Sequence, residues 1–175
     1  MMKDLLVFRL LILNTIGFVL LAVAGISGFV TPMLSGGWLH TGLIYVIVIL
    51  FLGGLASVFT RARKVSAAMN DIKSGKTVAI EGTKFLEKNG HIEDICTWLV
   101  TLSLLGNVVG FYIAIAGKHD LSSSEGLLAL AAQFMDGMAV AFETTIAGII
   151  FALWLDINRR VLKTAAVCLV QDSGS

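Results

Sequence analysis

The run Gly137-Met-Ala-Val-Ala-Phe-Glu-Thr-Thr-Ile-Ala-Gly-Ile-Ile-Phe-Ala-Leu-Trp-Leu155 decides how this chain is read. At about 1.5 Å per residue, a helix of that length matches a hydrocarbon core of ~30 Å. A helix that only had to sit in lipid would be Leu, Ile and Val throughout. This one carries the carboxylate of Glu143, the hydroxyls of Thr144 and Thr145, and small residues at Ala141, Ala147 and Gly148. Polar groups at membrane depth are costly and face other helices or wet cavities, and small residues let helix backbones approach closely. The run predicts a packed wall rather than an anchor.

Composition agrees. Of 175 residues, 57% are hydrophobic and only 14% are charged, against roughly 25% charged in a soluble domain. Three further apolar runs precede the first: about Leu10–Val30, Leu39–Phe59 and Ile95–Ala116. Ala22-Val-Ala24 offers a signal-peptide cleavage pattern, but the first run continues past it and exceeds a typical h-region. Asn14, inside that run, is expected to be satisfied within the bundle. The breakers Thr31–Gly37 predict a turn. Trp38 and Tyr45 suit a membrane interface, and His40 there is expected to be interfacial.

Residues 61–94 form the one extended polar segment. The helical period of Val65, Met69 and Ile72 predicts that the second span continues until Ser74-Gly75-Lys76 stops it. A short helix over Val78–Lys88 follows, closed by Asn89-Gly90. The segment is too small for an enzyme domain and holds no phosphate loop, metal spacing or nucleophile–base set, so no enzyme is expected. Cys96 and Cys168 lack metal spacing and are expected as reduced thiols. Ser122 with Glu125 forms an S-x-x-E capping box, predicting a helix that starts there and runs through Gln133 and Asp136 into the fourth span.

Basic residues set the orientation. Lys3 and Arg9 precede the first span, seven Lys and Arg from Arg61 to Lys88 separate the second from the third, and Arg159, Arg160 and Lys163 follow the fourth. The two opposite loops hold only Lys118. Positive charge collects in the cytoplasm, so both termini and the middle loop belong there. The expected fold is all-α with four transmembrane helices, N-in and C-in, and a short cytoplasmic helical segment between the second and third spans. It divides into a peripheral helix pair over 1–60, the cytoplasmic segment 61–94, a second helix pair over 95–163 and a short tail over 164–175. The partner implied is the lipid bilayer, with no nucleic acid and no cofactor.

On the third span Ser103, Gly106, Asn107 and Gly110 share one face, a GxxxG pair flanking an amide. Ser103-Leu-Leu-Gly-Asn-Val-Val-Gly110 resembles the G-L-L-G-T-V-x-G motif of the MotA/TolQ/ExbB ion-channel subunits, with two changes. The last span of that family resembles G-x-x-x-A-L-x-x-T-x-x-G, and Gly137, Ala141, Phe142, Thr145 and Gly148 fall in register. The resemblance covers roughly residues 95–163. Four spans with a short first outer loop resemble the MotA branch, although the cytoplasmic segment is shorter than in that branch.

The resemblance implies a pentamer around two copies of a single-span partner bearing an ion-binding Asp, in the inner membrane of a bacterium. Ion flow, of H⁺ or Na⁺, would rotate the ring and drive work elsewhere in the envelope. It places Thr145 at the position of the last-span Thr near the partner's Asp, and Asn107 at that of the third-span Thr. Ser103 stands where the family has Gly, and the Pro near the start of that span is missing. Ser103 and Thr144 complete the expected polar pathway; Gly106, Gly110, Gly137 and Gly148 are expected to pack helices. If both spans line a shared centre, their small-residue faces have nothing to pack on within one unit, which also predicts a homo-oligomer. At about 100° per residue, Glu143 and Thr145 point roughly 160° apart, so only one lines a central channel. The small-residue side favours Thr145. Glu143 is then a structural carboxylate turned to a neighbouring helix or subunit, with ion carrier as the alternative. Two rival readings are a non-conducting four-span scaffold and a small transporter. The transporter is disfavoured because the two halves lack matching interrupted helices.

Overall fold

The computed structural model describes residues 2–27, 38–73, 90–117 and 122–173. They form four helices: α1 (Met2–Ile26), α2 (Trp38–Lys73), α3 (Gly90–Ile115) and α4 (Ser124–Ser173). All four are long and apolar enough to cross a bilayer, and the chain is a four-span helical membrane protein. In hydrocarbon a helix meets every backbone donor and acceptor within its own segment, and that need explains the all-helical build.

α2 continues past the membrane-length run to Lys73; the expected stop at Ser74-Gly75-Lys76 lies outside the described residues. The start of α4 differs from expectation by one residue. Gly126 N donates to Ser123 Oγ at 3.0 Å and Leu127 N to Ser123 O at 3.1 Å, so Ser123, not Ser122, caps the helix. The N3 position is then Gly126, which has no side chain to return a bond, and the box with Glu125 is not the capping device. α4 continues unbroken to Ser173. Residues 164–173 are therefore helix rather than a loose tail, and α4 spans about 75 Å. The polar segment 61–94 is helical at both ends, as continuations of α2 and α3. The Thr31–Gly37 turn and the short helix expected over Val78–Lys88 lie outside the described residues.

Packing follows an up-and-down order. Along α3 and α4 the contacts run in opposite directions: Ala114 meets Gly137, Gly110 meets Ala141, Gly106 meets Thr144, and Ser103 meets Gly148. α2 lies alongside α4, with Phe51 stacked on Phe151 at 4.6 Å and tilted against Trp154 at 5.0 Å. α1 leans on α4 through Phe18, edge-on to Trp154 at 5.2 Å. The fully buried Leu10, Ile47, Val58, Leu99, Leu155 and Leu162 form the core. They gather toward the end of the bundle where Arg61, Arg63 and Lys64 of α2 and Arg159, Arg160 and Lys163 of α4 lie. Past Phe18, α1 is exposed over Val19, Leu20, Leu21 and Val23, apolar surface of the kind lipid covers.

The closest approach is that of α3 and α4. A Cβ on Gly110 would sit 2.5 Å from the Gly137 carbonyl oxygen and 2.7 Å from Ala141 N. One on Gly106 would strike the Thr144 side chain, and one on Gly148 the Ser103 side chain. Only glycine permits backbones this near. Gln133 adds a tie at the far end, its Nε2 donating to Ile113 O at 2.6 Å.

Candidate functional site

The α3–α4 seam sets where each polar residue goes. Gly137, Ala141, Thr144 and Gly148 face α3 and are buried. Thr145, one position on, lies about 100° away on the edge of that seam. There its Oγ1 is 2.6 Å from Asn107 Oδ1 and 2.8 Å from Ala141 O. The two half-buried side chains join α3 to α4 at the floor of an open cleft of about 160 Å³, lined by Asn107, Phe111, Met138, Ala141, Phe142 and Thr145. In membrane surroundings a hydroxyl–amide pair offers polarity without fixed charge.

Ser103 and Thr144 lie elsewhere. Both are buried inside the seam, at 1% and 0% exposure, and both bond back to their own helices. Ser103 Oγ donates to Val100 O at 2.7 Å, and Thr144 Oγ1 lies 2.9 Å from Val140 O and 3.1 Å from Ala141 O. Of the four polar residues singled out in the sequence, the fold brings Asn107 and Thr145 together at the cleft and encloses the other two between helices. Gly106, Gly110, Gly137 and Gly148 all serve the seam. The small-residue faces therefore pack on each other within one chain. The expectation that they have nothing to pack on inside a single unit is corrected, and an argument for oligomers cannot start from them.

Glu143 is half-buried on the opposite flank of α4 from Thr145. That flank turns toward α2: one turn further on, Ala147 packs with Ile44 and Val48.

Sequence reading missed a second polar cluster. Asn14 donates to Asn158 Oδ1 at 2.7 Å and to Leu10 O at 2.7 Å, while its own Oδ1 accepts from Trp154 Nε1 at 2.9 Å. Asn158 closes the group by donating to Trp154 O at 2.9 Å. Asn14 is thus satisfied within the bundle. Asn158 gave one usable signal: it shares a helical phase with Thr144, Gly148 and Leu155, the buried stripe of α4. Near the basic end, Arg159 bridges Asp156 at 2.8 Å and Glu93 at 2.9 Å, and Arg160 holds Asp156 at 2.7 Å. His91 sits between Ser57 and Arg61, 2.7 Å from each. Cys96 and Cys168 are free thiols. Among the described residues no three His, Cys, Asp or Glu gather as metal ligands.

No protein-family model matches the chain, and neither the curated proteins nor the solved structures give a match. What the fold defines is the class, a four-span helical membrane protein.

Proposed function

We propose that this chain is the ring subunit of a rotary, force-transducing ion channel of the MotA/TolQ/ExbB kind. Its partner is a single-span protein whose membrane helix carries an ion-binding Asp. The observation that carries this reading is the Asn107–Thr145 pair, 2.6 Å apart in a cleft lined by residues of α3 and α4. A polar pair at span depth, beside exposed Phe111 and Phe142, suits a surface covered by other protein better than one covered by lipid alone. The motif resemblance sets Thr145 at the position near the partner's Asp and Asn107 at that of the third-span Thr.

In this reading five copies surround two partner helices, with the α3–α4 clefts turned inward and α1 and α2 outside. The basic end of the bundle faces the cytoplasm, in keeping with the positive-inside rule. The membrane is the bacterial cytoplasmic one. Glu143, on the α2 flank, is structural.

The test is the mass of the complex extracted in mild detergent from its own membranes. A particle of five copies carrying a single-span partner is the expected result. Monomers alone would remove the ring and with it the function. Thr145→Val should leave the particle intact and reduce ion flux in vesicles at least tenfold.

A further inference from the structure

The helix contacts fix which residues stand at the same height in the bundle. Asn14 meets Asn158 and Phe18 meets Trp154, so α1 and α4 run antiparallel. Five residues from the amide pair, Arg9 stands level with Lys163. Phe51 stacks on Phe151 and Gly54 faces Leu155, so α2 and α4 run in the same direction. Twelve residues past the two rings, Arg63 is also level with Lys163, and Lys64 is beside it. Three helices thus bring four cations to one height. All four are exposed, and none makes a hydrogen bond or ion pair among the described residues. The acids whose side chains are described at this end are Glu93, Asp94 and Asp156. Asp156 lies about 10 Å nearer the middle of the bundle than Lys163. It is held by Arg159 and Arg160, and Arg159 also holds Glu93. Asp94 stands on α3, which carries none of the four cations.

The height of this belt matches one face of a bilayer. From Arg63 back to Trp38, where α2 begins, is about 38 Å, and from Lys163 back to Asp136 about 40 Å. A bilayer with its headgroups is ~40–45 Å thick. On the bilayer side of the belt, Leu11 and Ile12 of α1 and Ile157 of α4 follow within two turns, exposed and apolar. Cations without partners, bordering surface made for acyl chains, fit the phosphates of lipids rather than a soluble polyanion.

We infer that Arg9, Arg63, Lys64 and Lys163 bind the headgroups of anionic phospholipids, and that this lipid holds α1 on the bundle. α1 needs such a tie. It packs through Leu6, Leu10, Asn14 and Phe18 and is exposed beyond them. Its Arg9 brings a positive charge to the height of the cations on α2 and α4, where like charges repel. Phosphate oxygens seated among them reverse the sign of that interaction. They accept from the guanidinium of Arg9 on one side and from α2 or α4 on the other. Ring assembly is not required for this, since all four residues belong to one chain.

The test uses the full chain in bilayers of phosphatidylcholine and in equal mixtures of phosphatidylcholine with phosphatidylglycerol, at one ionic strength. Phosphatidylglycerol should raise the melting temperature by roughly 2–4 °C, the size of one such charge contact in a chain of this length. Arg9→Gln should lose most of that rise, and Arg9→Lys, which keeps the charge, should retain it. Amide exchange over residues 2–12 should slow when phosphatidylglycerol is present, while that of α3 stays unchanged. Should Arg9→Gln resist purification, the exchange pattern of the wild type decides alone. Equal melting in the two bilayers overturns the inference. So does a rise that Arg9→Gln leaves whole, or slowed exchange spread evenly over all four helices, since each is an effect of the bilayer at large. Inorganic phosphate that produces the same rise in pure phosphatidylcholine overturns the lipid as the source of the anion.

Discussion

Asn14 and Asn158 meet amide to amide across α1 and α4, Nδ2 of the first donating to Oδ1 of the second at 2.7 Å, with the return contact at 3.3 Å. Trp154 caps the pair from the side. Together with the Phe18–Trp154 ring contact, this polar group sets where α1 docks on α4.

Removing either amide therefore leaves the other unmatched in an apolar core. Asn14→Leu should destabilise the detergent-solubilised protein by about 1–2 kcal/mol, and Asn158→Leu by a similar amount. The double variant should cost less than the sum, because neither amide is left facing an apolar side chain and only Trp154 Nε1 loses its acceptor. Thermal melts of the three variants decide it; additive losses would mean that the pair is not coupled.

The glycines divide into two groups with opposite expected effects. At Gly110 a methyl group would collide with the backbone of α4, and Gly110→Ala should cost about 1–3 kcal/mol through overpacking. Gly53 on α2 meets nothing within 4 Å. Gly53→Ala should be neutral or stabilise by up to ~1 kcal/mol from helix propensity. Because the seam lies within one chain, Gly110→Ala should lower the melting temperature of the isolated subunit, not only that of an assembly.

Arg159 touches both Asp156 and Glu93, yet the Glu93 side chain is 65% exposed. Exposed ion pairs contribute little. Glu93→Gln should cost well under ~1 kcal/mol and lose even that in high salt. Arg159→Ala should cost more, since it also strips the half-buried Asp156 of a partner while leaving Arg160 in place. Melting curves at low and high salt separate the two.

The orientation proposed from the basic residues has a direct check. With Cys96 and Cys168 changed to Ser, a membrane-impermeant maleimide added to intact cells should label Ser123→Cys and miss Lys163→Cys. The reverse pattern would invert the protein.

Lipid leaves the backbone few choices, so the number, order and approximate ends of the helices are legible from apolar runs and charge alone. The continuation of α2 through Val65, Met69 and Ile72 is legible because a helical period is a local signal. The Ser123 cap is not, since three adjacent serines offer the same chemistry and the choice depends on where the fourth span must begin. The spacing of Asn107 and Thr145 marks both as polar interruptions, and the fold joins them. Ser103 and Thr144 carry the same signal and end inside the seam: Thr144 is one residue out of phase with Thr145, and a Gly stands opposite each. Helical phase within one segment is readable; which neighbouring helix meets that phase is a matter of packing between distant segments. For the same reason Asn158 passes unnoticed until α1 brings Asn14 against it.

α4 runs from Ser124 to Ser173 without a proline, the chain's single one being Pro32. With the helix unbroken between the cleft and Ser173, any tilt it makes as a rigid rod would be carried along its whole length. From Thr145 to Ser173 is about 42 Å, so a tilt of ~5° at the cleft sweeps the far end by roughly 4 Å. A displacement too small to open a gap beside Asn107 would then arrive at Ser173 as a movement on the scale of a side chain.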